Sequence, residues 1–295
     1  MSSLQIIAFL VAVADLALCG LISNGFIVAV KITEWAKSKR LTSSNQLLLS
    51  IGISNFSTTI LLTVYVLCAF STDTGNSIIL QILNGITAFA VVSRFWLTGL
   101  LCIFYCIKIV NSNHSLFLWC KMRISWLIPQ LLVGSLVISM ITSIYSVLYN
   151  SASIQSKSNT TANIRNVTQA KTLISSSQLL LLSICSGCPL LVVLLCSILV
   201  VASLCRHVCW MTSKESSFRS LQAEAHVRAA GTVLSLLILY LLLYLTWNVA
   251  VLIHTYKNQF VFVLLVYAPA QATILILVNP KLNQEATHML TRTKS

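Results

Sequence analysis

Seven long apolar runs, separated by short segments that hold nearly all the charge, constrain this 295-residue chain more than any other feature. They lie at about 6–30, 46–70, 78–110, 124–148, 173–204, 229–253 and 260–278. Only 8% of the residues are charged and 57% are apolar, whereas a soluble domain carries roughly 25% charged residues. So few charges cannot cover a water-facing surface, so lipid must cover much of it. A hydrocarbon core of ~30 Å takes ~20 apolar residues per helix. Spanning strands would alternate over ~10 residues, and these runs are unbroken. Backbone groups in hydrocarbon must pair within their own segment. The expected fold is an all-α membrane protein, one seven-transmembrane-helix domain over residues 1–295 with a polar loop at 149–172.

The net charge of +13 does not point to nucleic acid, because the basic residues sit in short connectors. They read as topology signals. One set of connectors plus the tail holds fourteen Lys and Arg residues, the other set holds four (Lys157, Arg165, Lys171 and Lys257), and the nineteenth is Arg94, inside the third run. The N-terminus is therefore expected outside and the C-terminus in the cytoplasm, in the plasma membrane. The first run has no charged leader or small-residue cleavage site, so it reads as a retained signal-anchor helix. Two sequons, at Asn159 and Asn166, fall on the outer side and are expected to carry glycans. Asn113-His-Ser115 lies on the inner side and Asn55-Phe-Ser57 in the second run, so neither should be modified.

Most of the ten cysteines lie in apolar runs and read as small hydrophobes. Cys185-x-x-Cys188 has metal or redox spacing but no accompanying histidine or second pair. No paired carboxylates, HExxH, GxSxG or phosphate loop stands out, so no enzyme activity, cofactor or metal is expected.

Arg94 is the strongest single signal. A charge at mid-membrane costs on the order of 3 kcal/mol on insertion scales and usually faces the bundle interior. It reads as a polar lock between helices or a ligand contact; snorkelling is disfavoured by the apolar residues on both sides. Asp15 faces either a ligand or water. Pro189 and Pro269 permit kinks. Tyr240, Tyr244 and Trp247 give the sixth run an aromatic patch, Trp247 reading equally as an interface anchor.

The motifs, in order, resemble the bitter taste receptor family (taste receptor type 2), seven-helix G-protein-coupled receptors. They are Gly20-x-x-x-Asn24-x-Phe26-Ile27; Trp96-Leu97; Phe104-Tyr105-x-x-Lys108-Ile109; Ser115 to Arg123; Ser203-Leu204-x-x-His207; His226-Val227-Arg228-Ala229; and Leu275-Ile276-Leu277-x-Asn279-x-Lys281-Leu282. There are departures. The arginine of the family's LxxLAxSR pattern is Asn55 here, and its seventh-helix His-Ser pair is Gln271-Ala272. In such bundles the Asn55 position lies near Arg94. The resemblance therefore implies that the guanidinium has moved to the neighbouring helix, where it serves one polar core with Asn24 and Asn55.

The resemblance further implies a site for small, mostly hydrophobic bitter compounds between the outer halves of the helices, with Thr87, Val91, Tyr240, Tyr244, Trp247 and Pro269 as candidates. Thr87 and Val91 stand where the family often has Trp and Asn. Gating or G-protein contact is assigned to Tyr105, Lys108, His207, His226 and Arg228, with a gustducin-like heterotrimeric partner. A vomeronasal type 1 receptor is the rival on the same fold; the His226 to Ala229 opening and the Lys108-Ile109 turn favour taste. A seven-helix transporter is the rival from another class, but neither internal repeats nor intramembrane acid–base pairs are visible.

Overall fold

The computed structural model describes residues 3–71, 78–110, 115–158, 183–203, 205–206, 219–252 and 257–292. They form α1 (Ser3–Ser38), α2 (Ser43–Ser71), α3 (Ile78–Ile109), α4 (Ser115–Ser158), α5 (Ser183–Ser203), α6 (Arg219–Leu252), α7 (Lys257–Val278) and α8 (Pro280–Arg292). Six of these helices are long and apolar enough to cross a membrane, and α6 contributes a shorter apolar stretch, Gly231–Thr246.

Helical periodicity decides which face of each helix meets protein. On α1, Val13, Ala17, Gly20, Asn24, Ile27 and Lys31 follow at spacings of three and four and are all buried. The opposite stripe, Ile7, Val11, Leu18 and Ile22, is exposed and suited to lipid. Asp15 is exposed on the outside of the bundle. α3 is the axis. Over an 18-residue apolar stretch 83% of its residues are buried, against 17% in α1 and 22% in α4, and it packs on α2, α4 and α6.

Without a hydrophobic force between helices in lipid, close packing depends on small residues and interhelical polar contacts. A Cβ at Gly20 would stand 3.1 Å from Thr59 Oγ1, and one at Gly52 would stand 3.0 Å from Val28 Cγ2, so α1 and α2 approach as closely as glycine allows. Gly99 faces Pro189, joining α3 to α5. At Gly85 a Cβ would collide with Val147, and the Gly85 carbonyl accepts a 2.6 Å hydrogen bond from Ser143 of α4.

The helices exceed the apolar runs at several ends. Lys31 and Glu34, expected in the first connector, belong to α1. Lys31 is fully buried, with its Nζ 3.2 Å from Glu34 Oε2, and that oxygen also accepts from Asn45 Nδ2 of α2 at 2.9 Å. Lys39, at a left-handed φ of 54°, ends α1 by donating to the Trp35 carbonyl. Helix α4 continues to Ser158, into the stretch expected as loop. The short tail beyond the seventh run forms α8. Asn279 caps it, its side-chain oxygen accepting from the backbone of Lys281 and Leu282, and Pro280 occupies the first helical position. Leu282 is buried against the bundle while the rest of α8 is mostly exposed.

Candidate ligand site and polar core

Thr87, Val91, Arg94 and Thr98 succeed one another at spacings of four, three and four, so they share one face of α3. All four are buried. Arg94 is 1% exposed. Its Nη1 donates to the Leu264 carbonyl of α7 at 3.3 Å, and its guanidinium carbon lies 5.0 Å from the centre of the Tyr267 ring. That geometry is an attractive cation–π arrangement. Nε and Nη2 have no hydrogen-bond partner.

One turn further along, Thr98 ties the two helices together. Its Oγ1 lies 2.9 Å from the Arg94 carbonyl, 3.0 Å from Tyr267 OH and 3.0 Å from Gln271 Nε2. A hydroxyl has one proton and two lone pairs. With that proton given to the Arg94 carbonyl, Tyr267 must donate its own, and Gln271 fills the second lone pair. Gln271 Oε1 in turn accepts from Asn55 Nδ2 at 2.9 Å, and Asn55 Nδ2 also donates to Asn24 Oδ1 at 3.1 Å. Asn24 Nδ2 donates to the carbonyls of Gly20 and Ala268 at 2.9 and 3.2 Å. A relay of side chains thus runs from α1 through α2 and α7 to α3.

The geometry differs in detail from the expected core of Asn24, Asn55 and Arg94. Asn24 and Asn55 bond directly, but Arg94 reaches them only through Thr98, Tyr267 and Gln271. Those three connectors were not among the sequence candidates, although Gln271 had been noted as a departure from the family pattern. The available signal was spacing: Tyr267 and Gln271 are four apart around Pro269, and Thr98 is four after Arg94.

The other candidates are distributed as follows. Tyr240 is fully buried; its hydroxyl donates to the Ser186 carbonyl of α5 at 2.9 Å and its ring meets Phe95 of α3 with centres 5.0 Å apart. Tyr244 is half-buried one turn on, with its hydroxyl near Gly187. Pro269 is half-buried and sits against Gly20 of α1. Trp247, His226 and Arg228 lie in α6, within the stretches whose side chains are not described, and His207, Asn159 and Asn166 lie outside the described residues. Tyr105 is half-buried, with its ring edge-on to Phe104, and Lys108 is exposed. Cys185 Sγ lies 3.3 Å from Thr142 Oγ1, Cys188 is exposed, and among the described residues no three His, Cys, Asp or Glu side chains are grouped to hold a metal. A cavity of about 540 Å³ opens between the end of α7 and α8, lined in part by Leu277, Pro280, Gln284 and His288.

The fold is that of a seven-helix receptor. Squid rhodopsin superposes with a TM-score of 0.68, covering 97% of this chain and 85% of its own, at 12% identity. The sequence model of the taste receptor protein (TAS2R) family matches residues 1–294. Taste receptor type 2 member 4 of Homo sapiens is 31% identical over 293 residues, spanning 95% of this chain and 96% of its own. Member 8 of Pongo pygmaeus is 29% identical over 96% and 95% of the two chains. The chain belongs to the TAS2R family: it is a multi-pass membrane protein and a bitter taste receptor of the G-protein-coupled class.

Proposed function

We propose that this receptor takes up small, mostly hydrophobic bitter compounds from outside the cell and passes the signal to a gustducin-like heterotrimeric G protein. The observation that carries the mechanism is the relay from Asn24 through Asn55, Gln271 and Thr98 to Tyr267 and Arg94, which joins four helices at mid-membrane. Packed helices settle in discrete arrangements, and a ligand shifts a receptor between two of them only by binding one better. A compound wedged between the outer halves of the helices, with Thr87, Val91, Tyr240, Tyr244 and Trp247 as the candidate contacts and Pro269 leaving one backbone carbonyl of α7 without its helical donor, changes how α3 and α7 meet. The relay then rearranges and the inner ends move apart.

The distribution of basic residues supports a cytoplasmic location for the end that bears Lys31, Lys108 and α8. Tyr105, Lys108, His207, His226 and Arg228 are assigned there to gating or G-protein contact. The N-terminus is then extracellular, with Asn159 and Asn166 open to glycosylation.

A calcium-response screen of a bitter-compound library, in cells expressing the full chain with a promiscuous G protein, tests this reading. Responses are expected to apolar compounds and to vanish when the G-protein α subunit is deleted. Silence across the library at verified surface expression, or responses that survive the deletion, would overturn it.

A further inference from the structure

Arg94 carries a full positive charge in the interior of the bundle with two of its three nitrogens unmatched. Its one hydrogen bond is a long 3.3 Å contact to a neutral carbonyl. Among the described residues no carboxylate meets it: Asp15 is on the exposed surface of α1, Glu34 is bonded to Lys31 and Asn45, and Glu285 is exposed on α8. Arginine is the side chain best suited to a carboxylate, because its planar fork offers two parallel N–H donors. Unmatched buried donors of a charged group are costly, and an ionised acceptor relieves that cost most fully.

The direction of the side chain adds a second constraint. Helical side chains lean towards the N-terminal end of their helix, and for α3 that is the end assigned above to the outside. In that direction lie Val91, fully buried and apolar, and Thr87, whose buried Oγ1 also lacks a partner. Seven residues at ~1.5 Å each place Thr87 ~10 Å from Arg94 along the axis.

We propose that the agonists of this receptor are small apolar acids about 10 Å long, whose carboxylate is received by Nε and Nη2 of Arg94 and whose apolar body lies along Val91 towards Thr87. This deepens, and rests on, the reading of the outer helix halves as the ligand site. It also gives the ligand a handle on the relay. A carboxylate draws the guanidinium from the Leu264 carbonyl and the Tyr267 ring, and Tyr267 is the residue that donates to Thr98.

Matched pairs test the proposal on the wild-type receptor: 4-phenylbutyrate, 3-phenylpropionate and octanoate, each against its primary amide, with acetate and chloride as anions lacking an apolar body. The acids are expected to be at least 10-fold more potent than their amides, and acetate and chloride inert at the same concentrations. Thermal stabilisation of purified full-length receptor is expected to follow the same order, and in that binding measurement, which does not depend on signalling, Arg94→Gln is expected to erase the difference between 4-phenylbutyrate and its amide. Equal potency within the pairs, activation by acetate or chloride matching that by the longer acids, or an acid preference retained in Arg94→Gln would overturn the proposal. Equal potency alongside G-protein-dependent responses to neutral bitter compounds removes the acid assignment and leaves the receptor reading standing. Silence to every compound removes both.

Discussion

Lys31 and Arg94 are both fully buried cations, yet their surroundings are opposite in kind. Lys31 lies near the basic end of α1, one turn from Glu34, and the shared oxygen of that carboxylate also holds Asn45 of α2. Arg94 lies at mid-membrane on α3 with a backbone carbonyl, an aromatic face and two vacant donors. A buried ion pair holds its elements in one arrangement, and removing one partner is far costlier than removing both. A charge met only by weak acceptors is free to choose a better one. The first cation fastens two helices; the second is available to a ligand and to a change of state.

Arg94→Ala removes the guanidinium that α3 presents to α7 and sharpens this contrast most. It is expected to abolish signalling or surface delivery, read by calcium imaging alongside surface labelling. Normal signalling at normal surface levels would break the comparison on the Arg94 side.

Lys31→Ala leaves the Glu34 carboxylate with Asn45 alone. With Glu34 about a fifth exposed, a cost of about 1–3 kcal/mol follows, below the range for a fully buried pair. The expected outcome is a several-fold fall in surface receptor with unchanged agonist potency in the molecules that arrive. Lys31→Ala with Glu34→Ala should recover much of the loss. No recovery would show that Lys31 acts through something besides its acid.

The neutral partners separate the two regions further. Gln271→Ala strands an Asn55 N–H and a Thr98 lone pair, worth about 1–3 kcal/mol for buried groups, and is expected to shift agonist potency because it cuts the relay. Asn45→Ala removes one bond to a partly exposed carboxylate and is expected to lower thermal stability slightly with no shift in potency. Equal potency shifts from the two would erase the distinction between the regions.

Hydropathy revealed what lipid demands. The seven runs, the burial expected of Arg94 and the helical positions of Asn24 and Asn55 follow from the cost of placing polar groups in hydrocarbon. What it did not reveal depends on register between helices. That Gln271 sits between Asn55 and Thr98, or that Lys31 turns inwards to Glu34, requires knowing which faces meet. Helix α8 escaped for another reason: it is polar and short, and its sequence marks are the Asn279 cap, Pro280 and a sparse apolar stripe of Leu282, Met289 and Leu290. The extension of α4 to Ser158 lies in a polar stretch that hydropathy assigns to loop.

The central claim is that one guanidinium in the relay, at the α3 position, performs the work that a neighbouring-helix arginine does where the family pattern is kept. Exchanging the two side chains tests it most directly, as Asn55→Arg with Arg94→Asn, with agonist dose–response curves compared at matched surface expression. The account predicts that Arg94→Asn alone is silent and that the exchange restores a response. An exchange variant that reaches the surface and stays as silent as Arg94→Asn would contradict it.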